Sequence, residues 1–305
     1  MPYPPPMSSR SPRPSRVTIP DAPSPYPLVL DFLADRFPQI PRDTWHRRIE
    51  DGLVTDDEGH PVALDTPCRA RLRLSYFREV TAEPPVDDDV RILCRDDHLL
   101  VACKPHGMPV TPGGRFVNAC LLARVRDIAG TADIAPLHRL DRDTAGLVLF
   151  SVDASSRGPY HRLFALGRVA KRYEALCRAP DGPWTDDRVI ESRIEPDPTL
   201  WFRSREATGP VNARTRVHLL ERRGEWARFA LEPLTGKRHQ LRLHMAAIGA
   251  PILHDRLYPK VRTRPDDDDS HPPLLLLARA LDFSDPITGA ARHFISPRNL
   301  DWPSS

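Results

Sequence analysis

The chain has 305 residues with 44 basic and 41 acidic side chains, so its formal net charge is only +3. Hydrophobic residues make up 40% and charged residues 28%, which is typical of a folded globular protein, and the length predicts one large domain and a smaller one. The longest apolar run, at 274–278, is far shorter than the roughly 20 residues of a membrane span. The five cysteines are scattered without a CxxC pair, and no apolar signal core begins the chain. We therefore expect no membrane span and no cysteine zinc site, in a reducing, cytoplasmic setting.

Residues 1–27 form a segment of their own, because they hold ten of the 35 prolines together with Arg10, Arg13 and Arg16. No acidic residue occurs before Asp21. Such a composition buries too little apolar surface to offset the entropy of ordering, so we expect a disordered tail. Its positive charge leaves open a loose contact with nucleic acid.

Residues 28–79 predict a small separate module that begins with two helices. Apolar residues recur at helical spacing in the first helix, and Asp43 stands where the second helix would be capped. Gly52 stands where that second helix should stop. Arg47 and Arg48 belong to this second helix, which we expect to be short and basic.

The rest of the module is predicted as a β-hairpin, with strands at 53–55 and 61–64 around an Asp-Asp-Glu-Gly turn. The order helix–helix–hairpin resembles a small RNA-binding module that occurs in a ribosomal protein and in many RNA-modifying enzymes. That resemblance implies that Arg47 and Arg48 contact RNA; a solvated basic helix on an ordinary small domain is the alternative. Residues 80–89, rich in proline and aspartate, are typical of a linker.

Residues 90–300 predict a larger domain in which strands outnumber helices. The expected elements are a hairpin at 91–102, a helix from Asp153 or Ser155 to Leu166, a strand at 169–176, a helix at 237–248, a surface loop at 259–273 and a strand at 274–283. Few βαβ units appear in this order. We therefore predict an α+β domain with a mainly antiparallel, mixed sheet.

The sequence from Leu137 to Phe150 carries the most distinctive polar cluster. An apolar strand is predicted to reach Leu140, and a second begins at Leu147 after a polar turn. Leucines at this edge would partly desolvate Asp141, which raises the pKa of a carboxyl group, whereas a nearby arginine would keep it ionised. A reactive carboxylate needs both influences. The alternative is an ordinary turn in which Asp141 caps backbone amides.

This cluster resembles the catalytic signature of the RluA-type pseudouridine synthases, HRLDxxTSGL, with HRLD at 138–141 and TAGL at 144–147. Other family motifs follow in order, so that the resemblance spans about residues 90–290. They are KPHGMPV at 104–110, KRYEAL at 171–176, LTGKRHQLRLH at 234–244 and the segment 249–258. Two positions depart from the usual family pattern: Ala145 replaces a serine, and Lys237-Arg238 stand where Arg-Thr is common. Neither departure affects the motif aspartate.

The resemblance implies an enzyme that detaches uracil from its ribose nitrogen link, rotates the base and rejoins it through carbon, with neither cofactor nor metal. It assigns catalysis to Asp141, an ion pair with Asp141 to Arg242, and insertion into the RNA to Arg139. Whether the carboxylate acts as nucleophile or as base stays open. We expect a structured RNA partner, such as an rRNA or tRNA stem-loop, and a monomer.

Further RNA contacts are expected around this aspartate. Tyr173 should share a strand face with Val169 and Lys171, from which its ring could stack on the extruded base. Lys171, Lys237 and Arg238 are expected to contact RNA, the last two as phosphate ligands near the start of a helix. That helix should carry one apolar stripe with its arginines at the border.

Other classes of protein use similar residues. A metal hydrolase is disfavoured because His239 and His244 lie about 140° apart around a helix, which spoils shared coordination. A zinc base deaminase would need H-x-E and P-C-x-x-C motifs, and both are absent from the sequence. A glycoside hydrolase would place two carboxylates around a sugar bond, whereas the arginine-rich surroundings favour a polyanion. A non-catalytic RNA-binding protein that keeps the fold is the remaining alternative.

The small net charge contrasts with the phosphate neutralisation on which RNA affinity depends. Seven of the 41 acidic residues lie at 87–89 and 266–269, in segments predicted as linker or loop. We therefore expect an uneven surface, basic around the cleft and acidic on distant loops.

Overall fold

The computed structural model describes residues 9–11, 13–21, 25–80, 82–182, 184, 187–262 and 271–303. Contacts divide the chain into two compact units, Met1–Glu83 and Pro84–Ser305. The boundary falls within the segment 80–89 that the sequence indicates as a linker. Among the described residues, no helix is both long and apolar enough to cross a membrane.

The first unit is a small module with two helices and two small sheets. Its elements are β1 (Ser9–Arg10), β2 (Ser15–Thr18), α1 (Val29–Arg36), α2 (Arg42–Glu50), β3 (Val54–Thr55), β4 (Arg73–Tyr76) and β5 (Glu79–Val80). Strands β2, β4 and β3 form one antiparallel sheet in that order, and β1 pairs with β5. The helices and the larger sheet share a core that contains the fully buried Leu33, Trp45 and Leu74. The predicted hairpin strand at 61–64 contributes an isolated bridge to β3 instead of a regular strand.

The expectation of a disordered tail over residues 1–27 is wrong where the structure describes that segment. Strand β2 pairs with β4 over all four of its residues, and Ile19 follows it into the core. Cross-strand hydrogen bonds and this burial offset the ordering entropy that the composition alone leaves uncompensated. Residues 1–8, 12 and 22–24 lie outside the described part of the chain.

Helix α2 differs from its prediction at both its start and its surface. It begins at Arg42, with no side-chain cap from Asp43. Arg48 is buried because it shares a helix face with Trp45, three residues earlier, and its guanidinium lies over that ring at 4.9 Å from the centroid. Arg47 is exposed. The expectation that Arg48 projects toward RNA is therefore wrong, and Arg47 is the member of the pair that a ligand can reach.

The second unit is an α+β domain with a mainly antiparallel mixed sheet, which confirms the predicted fold class. Its sheet has eleven strands in the order β12-β11-β13-β14-β10-β15-β9-β7-β6, with β16 beside β15 and β8 beside β9. Among the described strands, only β15 and β9 pair in parallel. The elements are β6 (Arg91–Arg95), β7 (Leu99–Lys104), α3 (Leu121–Ala129), β8 (Ala135–Pro136), β9 (Ala145–Ser151), α4 (Ala154–Ala165), β10 (Ala170–Arg178), β11 (Arg188–Pro196), β12 (Ser204–Ala207), β13 (Ala213–Arg223), β14 (Trp226–Pro233), α5 (Gln240–Ala247), β15 (Leu276–Ser284) and β16 (Ala291–Ile295).

Helices cover both faces of this sheet. Helix α3 packs against Phe150 and α5 against Leu276 on one face, whereas α4 packs against Leu149 on the other. Phe150 and Leu149 are neighbours on β9, and adjacent strand residues point to opposite faces. Helix α4 begins at the predicted cap, Asp153, and Gly167 follows its end with a positive φ.

A glycine permits the contact between the two parallel strands. Gly146 has a φ of +114°, and a Cβ built on it would lie 2.3 Å from the carbonyl oxygen of Ala278. Any side chain at position 146 would force β9 and β15 apart, so the close approach of these strands requires glycine. Thr144 ends the turn that follows the HRLD motif, and Gly146 lies two residues later in β9. The close approach of β9 to β15 therefore also fixes where that turn meets the sheet.

We predict that Gly146→Ala lowers the free energy of unfolding by about 3 kcal/mol or more, since it combines a strained φ with a clash against backbone. Urea denaturation followed by circular dichroism measures the change. Gly158→Ala is the control: Gly158 lies inside α4 with open space beside it, so alanine should stabilise the protein by up to about 1 kcal/mol. Equal stability of the two variants would show that β9 and β15 do not need this close approach.

Candidate active site

The HRLD cluster lies in an irregular segment, residues 137–144, between β8 and β9. The predicted strand up to Leu140 is wrong, since β8 has only two residues. His138 replaces part of that pairing: its Nε2 accepts a hydrogen bond from the backbone N–H of Leu149 at 3.1 Å, and its ring stacks on Phe164 at 4.7 Å. Burial lowers the pKa of His138 to about 3, so the ring stays neutral, as its acceptor role requires. His138 thus anchors the segment to β9.

Asp141 lies in this segment with 27% of its side chain exposed. Its Oδ2 lies 3.5 Å from Nη1 of Arg242 and 3.9 Å from Nε2 of His239. Burial lowers the pKa of His239 to about 4, so this imidazole is neutral and the positive charge comes from Arg242. The ion pair that the family resemblance implies is therefore present, and the carboxylate remains accessible.

A second carboxylate holds Arg242 from the other side. Asp255 accepts hydrogen bonds from Nε and Nη2 of Arg242, both at 2.7 Å, in a bidentate pair that is almost completely buried. Asp255 also accepts from the backbone N–H groups of Leu257 and Tyr258. Burial alone would lower the pKa of Arg242, but its hydrogen bonds to Asp255 raise that pKa above the usual value. The guanidinium is therefore charged and fixed in direction, with Nη1 left to face Asp141.

Helix α5, which carries Arg242, starts later and is more deeply buried than predicted. It covers Gln240–Ala247, and residues 235–239 precede it as a turn in which the backbone N–H of Lys237 donates to the Gln240 side chain. All side chains from Gln240 to Met245 are buried. The expected single apolar stripe with arginines at its border is wrong, because the helix packs on the sheet on one side and on the Tyr258 cluster on another.

Tyr173 does not lie on the strand face that simple alternation predicts. A β-bulge between Arg172 and Tyr173 shifts the register of β10 against β15, so residues on the two sides of the bulge exchange faces. Tyr173 packs with the α3 and α5 clusters, whereas Val169 and Lys171 lie on the α4 face. The predicted common face is therefore wrong. Burial and the negative charge of Asp141 raise the pKa of Tyr173, which keeps its hydroxyl protonated.

A buried lysine, to which the sequence assigns no role, ties the turn after Asp141 to the neighbouring strand. Lys104 ends β7, and its ammonium donates to the carbonyl oxygens of Pro105 at 2.9 Å, Met108 at 2.6 Å and Arg142 at 2.8 Å. Burial lowers the pKa of Lys104 to about 7. Three carbonyl acceptors match the three N–H donors of the charged form. In the sequence, the one sign of this buried role is that Lys104 is the single charged residue of the otherwise apolar strand LLVACK.

Asp143 closes the same turn inside a cluster of cations. Its carboxylate lies 3.1 Å from Nε of Arg142 and 3.6 Å from Nη2 of Arg256. Burial acts to raise the pKa of Asp143, but the arginines outweigh it and hold that pKa below the usual value. Asp87 lines a pocket beside this cluster, so the expectation that residues 87–89 lie on a distant loop is wrong for Asp87. Residues 266–269 lie outside the described part of the chain.

The remaining predicted RNA ligands differ in how available they are. Arg139 is exposed and forms no ion pair within the part of the chain that the structure describes. Lys237 is also exposed, whereas Arg238 donates to two backbone carbonyls of the β11–β12 loop. Lys171 lies on the sheet face opposite Tyr173. Arg47 belongs to the first unit.

The fold and the site correspond to an enzyme with one accessible carboxylate, oriented by a buried arginine on a large mixed sheet. A sequence model of the family described as RNA pseudouridylate synthase matches residues 98–247, which contain Asp141, Tyr173 and Arg242. The chain is 32% identical over 230 residues to a protein of Synechocystis sp. described as an uncharacterized RNA pseudouridine synthase, with 75% of this chain and 79% of that protein covered.

Two further comparisons agree. The chain is 32% identical over 225 residues to the dual-specificity RNA pseudouridine synthase RluA of Pasteurella multocida, with 72% of this chain and 97% of that protein covered. The fold is similar to a solved structure of human RNA Pseudouridylate Synthase Domain Containing 1, with a TM-score of 0.57, 23% identity, and coverage of 71% of this chain and 86% of that chain. The chain belongs to the RNA pseudouridine synthase family, and within it to the RluA type, which confirms the resemblance drawn from the motifs.

Asp255→Asn tests whether the buried pair orients Arg242. The variant leaves an uncompensated charge in the interior, so we predict a loss of about 3–5 kcal/mol in the free energy of unfolding. Displacement of the guanidinium should also slow single-turnover isomerisation by about 10²-fold. Urea denaturation and a quenched assay, at a temperature where the variant is folded, measure the two effects.

Glu232→Gln is the matched control for Asp255→Asn, because it breaks an exposed pair with Arg216 and should cost less than about 1 kcal/mol. If Asp255→Asn were as stable and as fast as this control, the buried pair would not be what holds Arg242.

Proposed function

We propose that this protein isomerises a specific uridine to pseudouridine in structured RNA, an rRNA or tRNA stem-loop, with Asp141 as the catalytic carboxylate. The observation that carries the proposal is the accessible Asp141 carboxylate, 3.5 Å from the buried Arg242 guanidinium. In this reaction the C1′–N1 bond of the nucleotide breaks and a C1′–C5 bond forms, while N1 gains a proton and C5 loses one. Reactant and product have the same composition, so no oxidant or reductant is consumed.

Asp141 has two chemical routes, and both require its ionised form. The carboxylate either adds to the sugar or the base, or removes a proton from the sugar. Arg242 supplies a positive charge at ion-pair distance from this carboxylate. Asp255 holds Arg242 in place before any substrate binds. The contact between Arg242 and Asp141 can therefore fix the direction of the Asp141 carboxylate.

The target uridine must leave its stack before Asp141 can reach it, at a cost of a few kcal/mol. In our proposal the ring of Tyr173 receives the extruded base, and Arg139 fills the gap that the base leaves in the RNA. Tyr173 is close enough to Asp141 for that charge to raise its pKa, and Arg139 is exposed on the same segment as Asp141. Lys237 and Arg238 supply positive charge for phosphate contacts.

The first unit adds RNA affinity in this proposal through the exposed Arg47. Lys171 is not part of the proposal, because it lies on the opposite face of the sheet from Tyr173. We further propose a monomer, since the second unit of a single chain contains Asp141, Arg242 and Tyr173. We also propose that it acts in the cytoplasm, since its five cysteines are scattered without a CxxC pair.

Asp141→Asn tests the proposed chemistry, because it removes the charge and keeps the shape. We predict that pseudouridine formation falls by about 10⁴-fold or more, while the affinity for RNA is kept. The substrate is first identified by mapping pseudouridines in total RNA from cells with and without the gene. The matching transcript is then incubated with each variant.

Asp97→Asn, in the exposed turn between β6 and β7, is the control for Asp141→Asn and should keep full activity. If RNA binding and activity fell together in Asp141→Asn, Asp141 would be a structural residue. If the wild-type protein bound the transcript and formed no pseudouridine, the protein would be an RNA-binding protein that keeps the fold.

Two substitutions of Tyr173 separate its ring from its hydroxyl. Tyr173→Leu should lower kcat/KM by about 5- to 150-fold, the loss expected for about 1–3 kcal/mol of base stacking. Tyr173→Phe keeps the ring and should retain most of the activity. Steady-state kinetics on the identified transcript measure both variants. Equal losses in the two variants would mean that the hydroxyl acts, and the stacking role would be wrong.

A further inference from the structure

The loop between β11 and β12 presents a tryptophan to solvent. Trp201 is 75% exposed, the highest value among the large hydrophobic residues that the structure describes. A single exposed apolar side chain is by itself ordinary. The backbone of the Trp201 loop is hydrogen-bonded to Arg238, in the turn that precedes α5.

The loop backbone is fixed from within. Oδ1 of Asp197 accepts hydrogen bonds from the backbone N–H groups of Thr199 and Leu200. Phe202 is buried, and the Trp201 ring meets it edge-to-face with centroids 5.8 Å apart and an interplanar angle of 85°. The indole is therefore oriented before any ligand arrives, which reduces the entropy that binding would cost.

Arg238 bonds this loop to the turn that precedes α5. Its guanidinium donates to the carbonyl oxygen of Trp201 at 3.0 Å and to that of Phe202 at 2.6 Å. The next residue along the chain, His239, has its Nε2 3.9 Å from the Asp141 carboxylate. The Trp201 loop is thus hydrogen-bonded to Arg238, whose neighbour His239 lies beside the reactive carboxylate.

A second link involves Ser204, the first residue of β12. The hydroxyl of Tyr258 donates to the carbonyl oxygen of Ser204 at 2.8 Å and accepts from the N–H of the same residue at 2.9 Å. The same hydroxyl lies 2.9 Å from Nδ1 of His239. With residues 201, 202 and 204 bonded to the segment around His239, the backbone of Trp201 is held against that segment.

Two cations lie in the turn that is hydrogen-bonded to the Trp201 loop. Lys237 is exposed, and its ammonium pairs with no carboxylate within the described ranges. Arg238 donates its hydrogen bonds to neutral carbonyl oxygens, which do not neutralise its positive charge. An exposed aromatic ring beside uncancelled cations is the combination that binds unpaired nucleotides, since bases stack on the ring and phosphates pair with the cations.

We propose that Trp201 stacks on an unpaired base that flanks the target uridine, while Lys237 contacts a phosphate next to it. This role rests on the proposed function, because it assumes an RNA substrate. Trp201 is then a positioning residue: it strengthens binding and selects RNA with an unpaired base at that place. The chemical step at Asp141 does not depend on it.

The test compares Trp201→Ala, Trp201→Phe and a control, Leu220→Ala, which removes an exposed apolar side chain from β13. Binding is measured in the Asp141→Asn background by anisotropy of a labelled stem-loop transcript that the wild-type protein isomerises. We expect Trp201→Ala to raise Kd by about 5- to 150-fold, with most of the affinity kept in Trp201→Phe and all of it in Leu220→Ala. With Asp141 intact, the single-turnover rate at saturating RNA should be unchanged in Trp201→Ala.

Intrinsic fluorescence gives a second readout that a merely structural role would not move. Stacking on a base should quench Trp201, so the RNA-dependent quenching should be lost in Trp201→Phe even though this variant binds. Unchanged affinity in Trp201→Ala, or a slower saturated rate with unchanged affinity, would overturn the stacking role. Failure of the wild-type protein to isomerise any transcript would instead overturn the proposed function.

Discussion

The active site depends on how one buried guanidinium is divided between two carboxylates. Nε and Nη2 of Arg242 donate to Asp255 at 2.7 Å each, and Nη1 donates to Asp141 at 3.5 Å. The short bidentate pair stabilises the charge in the interior, and the longer contact transmits that charge to the accessible carboxylate. The Asp141 carboxylate is therefore oriented by a cation that is already paired, and it remains accessible.

Three other residues determine where Asp141 stands. His138 joins the irregular segment to β9 through a hydrogen bond from the backbone of Leu149. The ammonium of Lys104 donates hydrogen bonds to three carbonyl oxygens, one of them in the turn after Asp141. Gly146 lets β9 approach β15 more closely than any side chain would allow. Each of the three residues belongs to a family motif, although we assign none of them a contact with the substrate. Many of the motif residues therefore serve to place Asp141 and not to bind RNA.

The sequence was sufficient for the fold class and for about half of the elements of the larger unit, and the family resemblance supplied the pairing of Asp141 with Arg242. It failed where tertiary contacts override local pattern. A bulge at Arg172–Tyr173 reverses a face that period-two alternation predicts. Arg48 packs on Trp45, although its charge suggests a surface position. Asp255 carries no local signal, because its importance comes only from the partner that folding brings to it.

The most direct test of the central claim is a crystal structure of the Asp141→Asn variant bound to its RNA stem-loop. The account predicts that the target nucleotide lies outside the RNA stack with its base against Tyr173. Its C1′ should then approach the side chain at position 141 within roughly 3.5 Å, while Arg242 keeps its bidentate contact with Asp255. A target uridine that remains stacked in the RNA, or that binds away from position 141, would contradict the account.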